Sequence, residues 1–191
     1  IATLKHFAAH GYPEGGMNAG PANFSERELR EIFLHPFKVA VVEGKVLSIM
    51  ASYNEIDGVP CHANKWLLDD LLRKEWGFEG FIVSDYYALE QLNDRHCVAA
   101  NHKEAAKLGI EAGVDIELPE PTVYPHLLEL AKEGKVDMKF IDTSVKRLLY
   151  YKFFSGVFDN PYVDENKAKS VAEDKQARVL SYNLAAESIT L

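Results

Sequence analysis

The feature that most constrains the fold of this chain is the regular alternation of short apolar runs with longer segments of helical spacing. Four apolar runs have the length of a β-strand, and each is followed by a helical pattern. This order predicts βαβ units and a parallel sheet. Right-handed crossovers would place every helix on the same side if the sheet curls into a barrel. The strands are expected at residues 1–7, 46–53, 80–84 and 114–118.

Four strand–helix units make up about half of an eightfold (β/α) barrel. An isolated half barrel would leave strand edges unpaired and its core open, so we expect the N-terminal half of the barrel to lie outside this chain. Residues 1–156 are therefore predicted to form the C-terminal half of a parallel, TIM-like (β/α) barrel of the α/β class. An open, doubly wound sheet is the alternative.

Helical patterns fill the segments between the predicted strands. Ser25, followed three residues later by Glu28, predicts a helix start through a capping box, and Pro36 should bend or break that helix. After Gly156 the sequence becomes polar, which predicts a loop over 158–170 and a final helix over 171–191. We expect 157–191 to be a linker and the beginning of a second domain. The other helices are expected at 25–42, 65–76, 86–94, 103–112, 124–132 and 137–154.

The composition of the chain argues against several functions. Its net charge is −8 without a basic stripe, which disfavours binding to nucleic acid or to an anionic membrane surface. No apolar stretch reaches the roughly 18 residues of a membrane span. Cys61 and Cys97 are interpreted as free structural thiols. The histidines lack the spacing of a metal site and no glycine-rich loop forms a phosphate cradle, so neither a metal nor a cofactor is expected.

Polar side chains stand at the carboxyl end of every predicted strand, which is where parallel α/β folds gather their ligand chemistry. The convergence of four such ends is stronger evidence for a site than any single residue. Glu117 is the weakest candidate because Pro119 and Pro121 suggest a turn around it. The candidates are Lys5 and His6, then Tyr53 and Asn54, then Ser84, Asp85 and Tyr86, and finally Glu117.

Asp85 directly follows GFIVS, a buried-strand pattern, and precedes two tyrosines. One interpretation is an N-cap for the next helix. The other is a carboxylate that attacks an anomeric carbon, with the Tyr86 ring packed on the sugar. Lys5 and His6 can donate charge-assisted hydrogen bonds to hydroxyl groups, although a structural role for His6 is also compatible with the pattern. Lys5 has a rival interpretation as the Schiff-base lysine of an aldolase-type barrel.

Six segments, covering nearly the whole chain in order, resemble one known family. They are KHFAAHG at 5–11, SERELREIFLHPF at 25–37, SIMASYNEIDGVPCHAN at 48–64, LLDDLLRKEWGFEGFIVSDY at 67–86, AGVDIELP at 112–119 and GVFDNPYV at 156–163. The family they resemble is glycoside hydrolase family three, and VSDY is similar to its nucleophile motif. The resemblance implies a β-glycosidase with a barrel-like first domain followed by an α/β sandwich domain.

The resemblance also implies roles for individual residues. By motif match, Asp85 takes the role of nucleophile, and Lys5 and His6 correspond to the pair that holds sugar hydroxyls. Tyr53 matches the family's tyrosine near the nucleophile, and Tyr86 matches the aromatic residue that lines the sugar site. The family's substrate-binding Asp and Arg come from earlier strands, and its acid/base Glu in many members comes from the second domain, so this chain is assigned no acid/base.

The resemblance predicts a retaining, exo-acting hydrolase that cleaves terminal β-D-glucosyl or β-D-xylosyl residues through a covalent glycosyl-aspartate. Its substrate would be a small oligosaccharide or an aryl or alkyl β-glycoside. The β-N-acetylglucosaminidase branch is the less favoured alternative, because the loop EGGMNAG at 14–20 lacks the Asp and His that this branch carries. A Schiff-base lyase using Lys5 and a non-catalytic sugar-binding remnant are the two further alternatives.

Overall fold

The structure is a computed structural model that describes residues 1–190. The chain divides into two compact units, Ile1–Ser155 and a second unit that begins at Gly156. The described part of the second unit contains only helices, whereas the first unit combines helices with seven strands. These strands are β1 (Thr3–Phe7), β2 (Pro21–Ala22), β3 (Ser48–Ala51), β4 (Glu55–Ile56), β5 (Val59–Pro60), β6 (Phe81–Tyr86) and β7 (Ile116–Leu118).

The central sheet contains four strands in the order β1–β3–β6–β7, and all neighbours are parallel. The spatial order equals the order along the chain, as successive βα units of one handedness produce. A small second sheet joins β2 to the β4–β5 hairpin. The parallel α/β architecture is thus the one predicted, and all four predicted strands are present.

The third predicted strand ends later than expected. It extends as β6 to Tyr86, which still pairs with Leu118 of β7, so Asp85 belongs to the strand and not to the loop after it. Tyr87 then adopts a left-handed φ of 58°. This conformation interrupts any helix at that point, which is why the helix predicted over 86–94 is reduced to Gln91–Asp94.

The helices agree with the predicted positions but differ in detail. The Ser25 hydroxyl accepts a hydrogen bond from the Glu28 N–H at 3.2 Å, as the capping pattern predicts. The helix predicted over 25–42 is divided near Pro36, as expected. A π-helical segment separates two α-helices, and Pro36 lies in the first turn of the second, where a missing N–H is tolerated. The α-helices are α1 (Glu26–Glu28), α2 (His35–Val42), α3 (Gln91–Asp94), α4 (His102–Ala112), α5 (Leu127–Lys132), α6 (Met138–Phe154), α7 (Glu165–Ala172) and α8 (Lys175–Ser188), and the π-helical segments are Leu29–Phe33 and Trp66–Glu75.

The core of the first unit lies between the central sheet and the segment Trp66–Glu75. Phe7, Ile49 and Ile82 of the sheet are fully buried, and so are the leucines of the segment that packs on them. Gly80 allows β6 to begin close to β3, because a Cβ atom there would clash with the Leu47 carbonyl. The close approach at Gly80 therefore fixes where β6 starts.

A buried ion cluster holds the amino ends of β6 and β7. The Asp115 carboxylate accepts hydrogen bonds from Arg73 Nη2 and the Ile82 N–H, both at 2.8 Å, and from Arg147 Nη1 at 2.9 Å and Ser144 Oγ at 2.8 Å. Its side chain is fully buried. Because its four partners come from three elements, this carboxylate ties both strands to the Trp66–Glu75 segment and to α6.

The second unit differs from the predicted arrangement. A loop over 158–170 is wrong in part, because α7 occupies Glu165–Ala172, and the final helix is α8, Lys175–Ser188. Asp164 and Asp174 explain both helix starts, since their carboxylates accept from backbone N–H groups of the first turns. Leu191, the end of the predicted helix, lies outside the described residues. That 157–191 is a linker leading into a second domain stays a prediction.

Candidate active site

Asp85 lies at the carboxyl end of β6 with only 8% of its surface exposed. Its Oδ1 accepts the Tyr86 N–H at 2.7 Å, whereas its buried Oδ2 accepts no hydrogen bond from any residue in 1–190. The carboxylate does not cap a helix, because the next helix begins at Gln91. The N-cap interpretation is therefore wrong, and one carboxylate oxygen is left available for a ligand.

His6 is the side chain that faces this available oxygen. Its Nε2 lies 3.4 Å from Asp85 Oδ2, because β1 and β6 both end at this edge of the sheet. Burial lowers the pKa of His6, and the neighbouring His10 lowers it further, while the Asp85 charge acts in the opposite direction. His6 is thus mainly neutral at pH 7, and it can bind a hydroxyl group without forming a permanent ion pair with Asp85.

Tyr53 closes the site from the side of β3. Its hydroxyl group donates to the Tyr86 carbonyl at 2.8 Å, which links the segment after β3 to the end of β6. Burial and the nearby Asp85 carboxylate raise the pKa of Tyr53 to about 12. The phenol therefore stays protonated at neutral pH and can donate this hydrogen bond.

Lys5 and Tyr86 are both exposed to solvent. Lys5 lines a cavity of about 350 Å³ together with His6, His10 and Phe37, and no ion pair joins it to Asp85 in the described chain. An exposed ammonium group also lacks the apolar surroundings that activate a Schiff-base lysine. The Tyr86 side chain is half exposed, so one face of its ring is open to a ligand.

His62 is a site residue that the sequence analysis missed. It belongs to a short 3₁₀ turn, Cys61–Ala63, after the β4–β5 hairpin. Its Nε2 accepts the backbone N–H of Asp85 at 3.1 Å. Burial lowers the pKa of His62 to about 4, partly opposed by the Asp85 charge. No hydrophobic period reveals where a ring on such a turn will point, so the only signal was its place in the VPCHAN segment beside a candidate strand end.

A second missed residue, His96, supports Tyr53. Its Nε2 lies 3.0 Å from the Tyr53 carbonyl oxygen, and its Nδ1 lies 3.7 Å from Glu55 Oε2.

Two further strand-end candidates, Asn54 and Ser84, are buried and form hydrogen bonds within the protein. Asn54 is linked to the Ser52 hydroxyl, and Ser84 Oγ accepts the Leu118 N–H at 2.8 Å. These contacts hold the walls of the site and leave Asp85 at its centre.

Glu117 has a structural role. Its Oε1 accepts hydrogen bonds from the N–H groups of Thr122 and Val123, and its Oε2 accepts from the Tyr124 N–H at 2.7 Å. The carboxylate thus caps the turn that starts α5 and has no free oxygen for a substrate.

In residues 1–190, no group of three or more His, Cys, Asp or Glu side chains is arranged to hold a metal ion, and no helix there is long and apolar enough to cross a membrane.

The fold and site define a class of protein, namely part of a parallel α/β barrel with the Asp85 carboxylate presented at the carboxyl ends of its strands. Within that class, the chain belongs to glycosyl hydrolase family 3, because the model of the family's N terminal domain matches residues 1–150. The sequence resemblance to this family is therefore confirmed.

Curated proteins similar to this chain have names that fit a glycosidase family. A putative beta-xylosidase of Formosa agariphila is 41% identical over the whole chain, which covers 25% of that protein. A periplasmic beta-glucosidase of Salmonella typhimurium is 32% identical, again over the whole chain and 25% of the relative. The chain thus spans about a quarter of the length of the curated relatives it matches.

Solved structures agree with the fold. A β-glucosidase from Erythrobacter marinus superposes with a TM-score of 0.93 at 39% identity, covering 97% of this chain and 25% of the other. A β-glucosidase from Listeria innocua in complex with glucose gives a TM-score of 0.86 at 36% identity, covering 92% and 24%. The prediction of a partial TIM-like barrel is therefore confirmed. The roles of Asp85, Lys5, His6, Tyr53 and Tyr86 stay predictions.

Proposed function

We propose that this chain supplies the nucleophile and part of the sugar site of a retaining β-glycosidase. The observation that carries the proposal is the asymmetry of the Asp85 carboxylate. One oxygen is tied to the Tyr86 N–H, whereas the other is buried, accepts no hydrogen bond within residues 1–190 and faces His6. A carboxylate fixed in this way on a strand end can approach C1 of a sugar without first losing a protein contact.

The reaction has two steps. In the first, Asp85 Oδ2 forms a bond to C1 while the bond from C1 to the leaving oxygen breaks, and a carboxylic acid elsewhere in the protein protonates that oxygen. In the second, the same group removes a proton from water, the water oxygen bonds to C1, and Asp85 leaves as a carboxylate. The two carboxyl groups of a retaining enzyme lie roughly 5–5.5 Å apart, so the acid must come from a segment that folds over this site.

The substrate is a terminal β-D-glucosyl or β-D-xylosyl residue of a small oligosaccharide or of an aryl or alkyl glycoside. The names of the relatives, beta-xylosidase and beta-glucosidase, support these two sugars. Lys5 and His6 would bind sugar hydroxyl groups beside the cavity they line. Tyr86 would pack its exposed face on the sugar ring, while Tyr53 holds the backbone of Tyr86 in place.

The test is Asp85→Ala in a full-length protein that contains this chain. Turnover of nitrophenyl β-glucoside and β-xyloside should fall by at least about 10³-fold, because the covalent step is lost. A 2-deoxy-2-fluoro glycoside should label the wild-type protein on the peptide that carries Asp85. Asp57→Asn is the matched control, because Asp57 is an exposed carboxylate at a left-handed turn position that Asn tolerates.

Turnover of the Asp85→Ala protein within tenfold of the wild type would contradict the proposal. So would a label on another peptide. Binding of the sugar by the wild type without any hydrolysis would favour the sugar-binding remnant instead. Trapping of Lys5 by borohydride in the presence of a carbonyl substrate would favour the Schiff-base lyase.

A further inference from the structure

The backbone of Asp85 is held by a side chain and not by the neighbouring strand. In the ladder between β3 and β6, the Phe81 N–H donates to the Leu47 carbonyl at 3.2 Å. Parallel pairing repeats every two residues, so continuation of the ladder would direct the Asp85 N–H to the Ala51 carbonyl. The Asp85 N–H instead donates to His62 Nε2 at 3.1 Å.

His62 therefore takes the place of a strand at the point where the ladder ends. The last paired residues of the two strands are Met50 and Val83, and the ladder between β3 and β6 ends there. The imidazole ring is 2% exposed and comes from a separate turn. It satisfies an N–H group that burial would otherwise leave without an acceptor, a loss that is costly in a protein interior.

The contact requires one protonation state of the ring. Nε2 can accept the Asp85 N–H only when it carries no proton, so the neutral ring has its proton on Nδ1. Burial and the neighbouring His96 disfavour a second proton, whereas the Asp85 charge and a hydrogen bond with the Ser52 backbone favour it. Burial is the largest of these effects, and the ring is neutral in the folded protein.

We propose that His62 is a positioning residue for the nucleophile: through its Nε2 it fixes the backbone of Asp85 and thereby the direction from which Oδ2 reaches the sugar. This inference rests on the proposed function of Asp85. Because the carboxylate is anchored on its other oxygen by the Tyr86 N–H, a shift of the Asp85 backbone moves the attacking oxygen with it. A misplacement of about 1 Å at the reacting atoms can lower the rate about 100-fold.

The experiment compares His62→Leu with His62→Gln in a full-length protein that contains this chain. Leu fills a similar volume without an acceptor, whereas the Gln amide oxygen can accept the Asp85 N–H. The readout is inactivation by a 2-deoxy-2-fluoro β-glucoside, which measures attack by the nucleophile separately from binding. His62→Leu should lower the inactivation rate constant by about tenfold or more with the inhibitor constant changed by less than about threefold, and His62→Gln should recover most of the rate.

Cys61→Ala is the matched control for stability. Cys61 is fully buried on the same turn and contacts the Ala8 carbonyl instead of Asp85. It should lower the melting temperature without lowering the inactivation rate constant. If His62→Leu yields no folded protein, His62→Gln is compared with His62→Asn, whose shorter amide does not span the distance to the Asp85 N–H.

Equal rate constants for the variant with the acceptor and the variant without it would overturn the inference, and so would a rate for His62→Leu within threefold of the wild type. The result is separable from the fate of the proposed function. If Asp85 is labelled and Asp85→Ala is inactive while His62→Leu is normal, only the role of His62 fails. If Asp85 is not labelled, the proposed function itself fails.

Discussion

Two histidines, the half-buried His6 and the buried His62, lie next to the Asp85 carboxylate. His6 faces the carboxylate oxygen that is available to a ligand, while His62 faces the backbone N–H of the same residue. Burial lowers the pKa of both rings. Both rings are therefore neutral near pH 7, so neither forms a full ion pair with the Asp85 carboxylate. The free oxygen of Asp85 thus stays open to a ligand.

The buried neutral state of His62 predicts a pH dependence of stability. Its pKa is about 4 in the folded protein and about 6.5 when unfolded. Between these values the unfolded state binds more protons, so the free energy of unfolding falls as the pH is lowered from 6.5 to 4. Above pH 6.5 the His62 ring is neutral in both states and causes no loss of stability. The loss is on the order of 3 kcal/mol. His62→Gln, which does not titrate, should show a weaker fall of melting temperature between pH 7 and pH 4.5.

The same slope in both proteins would show that other groups, such as His6, dominate the acid response. The Asp85 carboxylate and His96 face the His62 ring with opposite effects on its pKa, so the comparison is made at constant ionic strength. The far-ultraviolet circular dichroism of both proteins at pH 7 serves as the control for an intact fold.

At the scale of single residues, the sequence was informative where position along a strand decides the outcome. Asp85, His6 and Tyr53 could be grouped because the carboxyl ends of parallel strands meet at one edge. The direction of each side chain could not be predicted in this way. His62 lies on a turn whose course depends on the β4–β5 hairpin, and Lys5 points to solvent although it adjoins His6.

Among the elements, β6 carries the nucleophile and is held at both ends by side chains from other parts of the chain. At its amino end the Asp115 carboxylate accepts the Ile82 N–H and pairs with two arginines. At its carboxyl end His62 accepts the Asp85 N–H. The strand therefore has little freedom to slide along its neighbours, which is what a fixed nucleophile requires.

Removal of the Asp115 charge should destabilise the element without changing the chemistry. In Asp115→Asn, Arg73 and Arg147 lose their buried counter-ion, and breaking such a pair costs about 3–5 kcal/mol. Because Asp115 precedes β7 and lies at the amino ends of the strands, the inactivation rate constant of the remaining folded protein should stay within about threefold of the wild type. Urea unfolding followed by circular dichroism measures the loss.

The matched control is Asp142→Asn, because this carboxylate of α6 is exposed to solvent, whereas Arg73 and Arg147 both pair with Asp115. It should unfold at nearly the urea concentration of the wild type. If Asp115→Asn shows an unchanged midpoint, the cluster contributes nothing to stability and the account of how β6 is anchored at its amino end is wrong.

The helices show how far elements could be predicted. The start after Ser25 followed from its capping pattern, and the long helix α6 followed from its apolar spacing. The π-helical segment Trp66–Glu75 was predicted as an ordinary helix, because its apolar positions do not distinguish a wider turn from an α-helical one. Packing against the sheet decides between the two, and packing is not visible in a local pattern.

For the whole molecule, the order of strands determines what the chain can do alone. In the described residues, β1 and β7 each have only one neighbour in the central sheet, although β1 carries His6. A closed (β/α) barrel needs more strands than the four of this sheet, and this chain spans about a quarter of the length of its relatives. The barrel class could be predicted from the strand–helix alternation, whereas no local pattern shows how the barrel closes.

Residues 1–155 expressed alone should self-associate and hydrolyse glycosides poorly. Two open strand edges favour self-association, and we propose that the acid lies outside these residues. We expect sedimentation to show oligomers or aggregates, and hydrolysis of nitrophenyl β-glucoside at least about 10³-fold slower than in the full-length protein. A carboxylate nucleophile without an acid still reacts faster with good leaving groups, so dinitrophenyl glycosides should reduce the difference in rate between the fragment and the full-length protein.

A monomeric fragment that hydrolyses both substrates within tenfold of the full-length rate would show that the acid lies within these residues. The proposal that the nucleophile and the acid come from different parts of the protein would then be wrong.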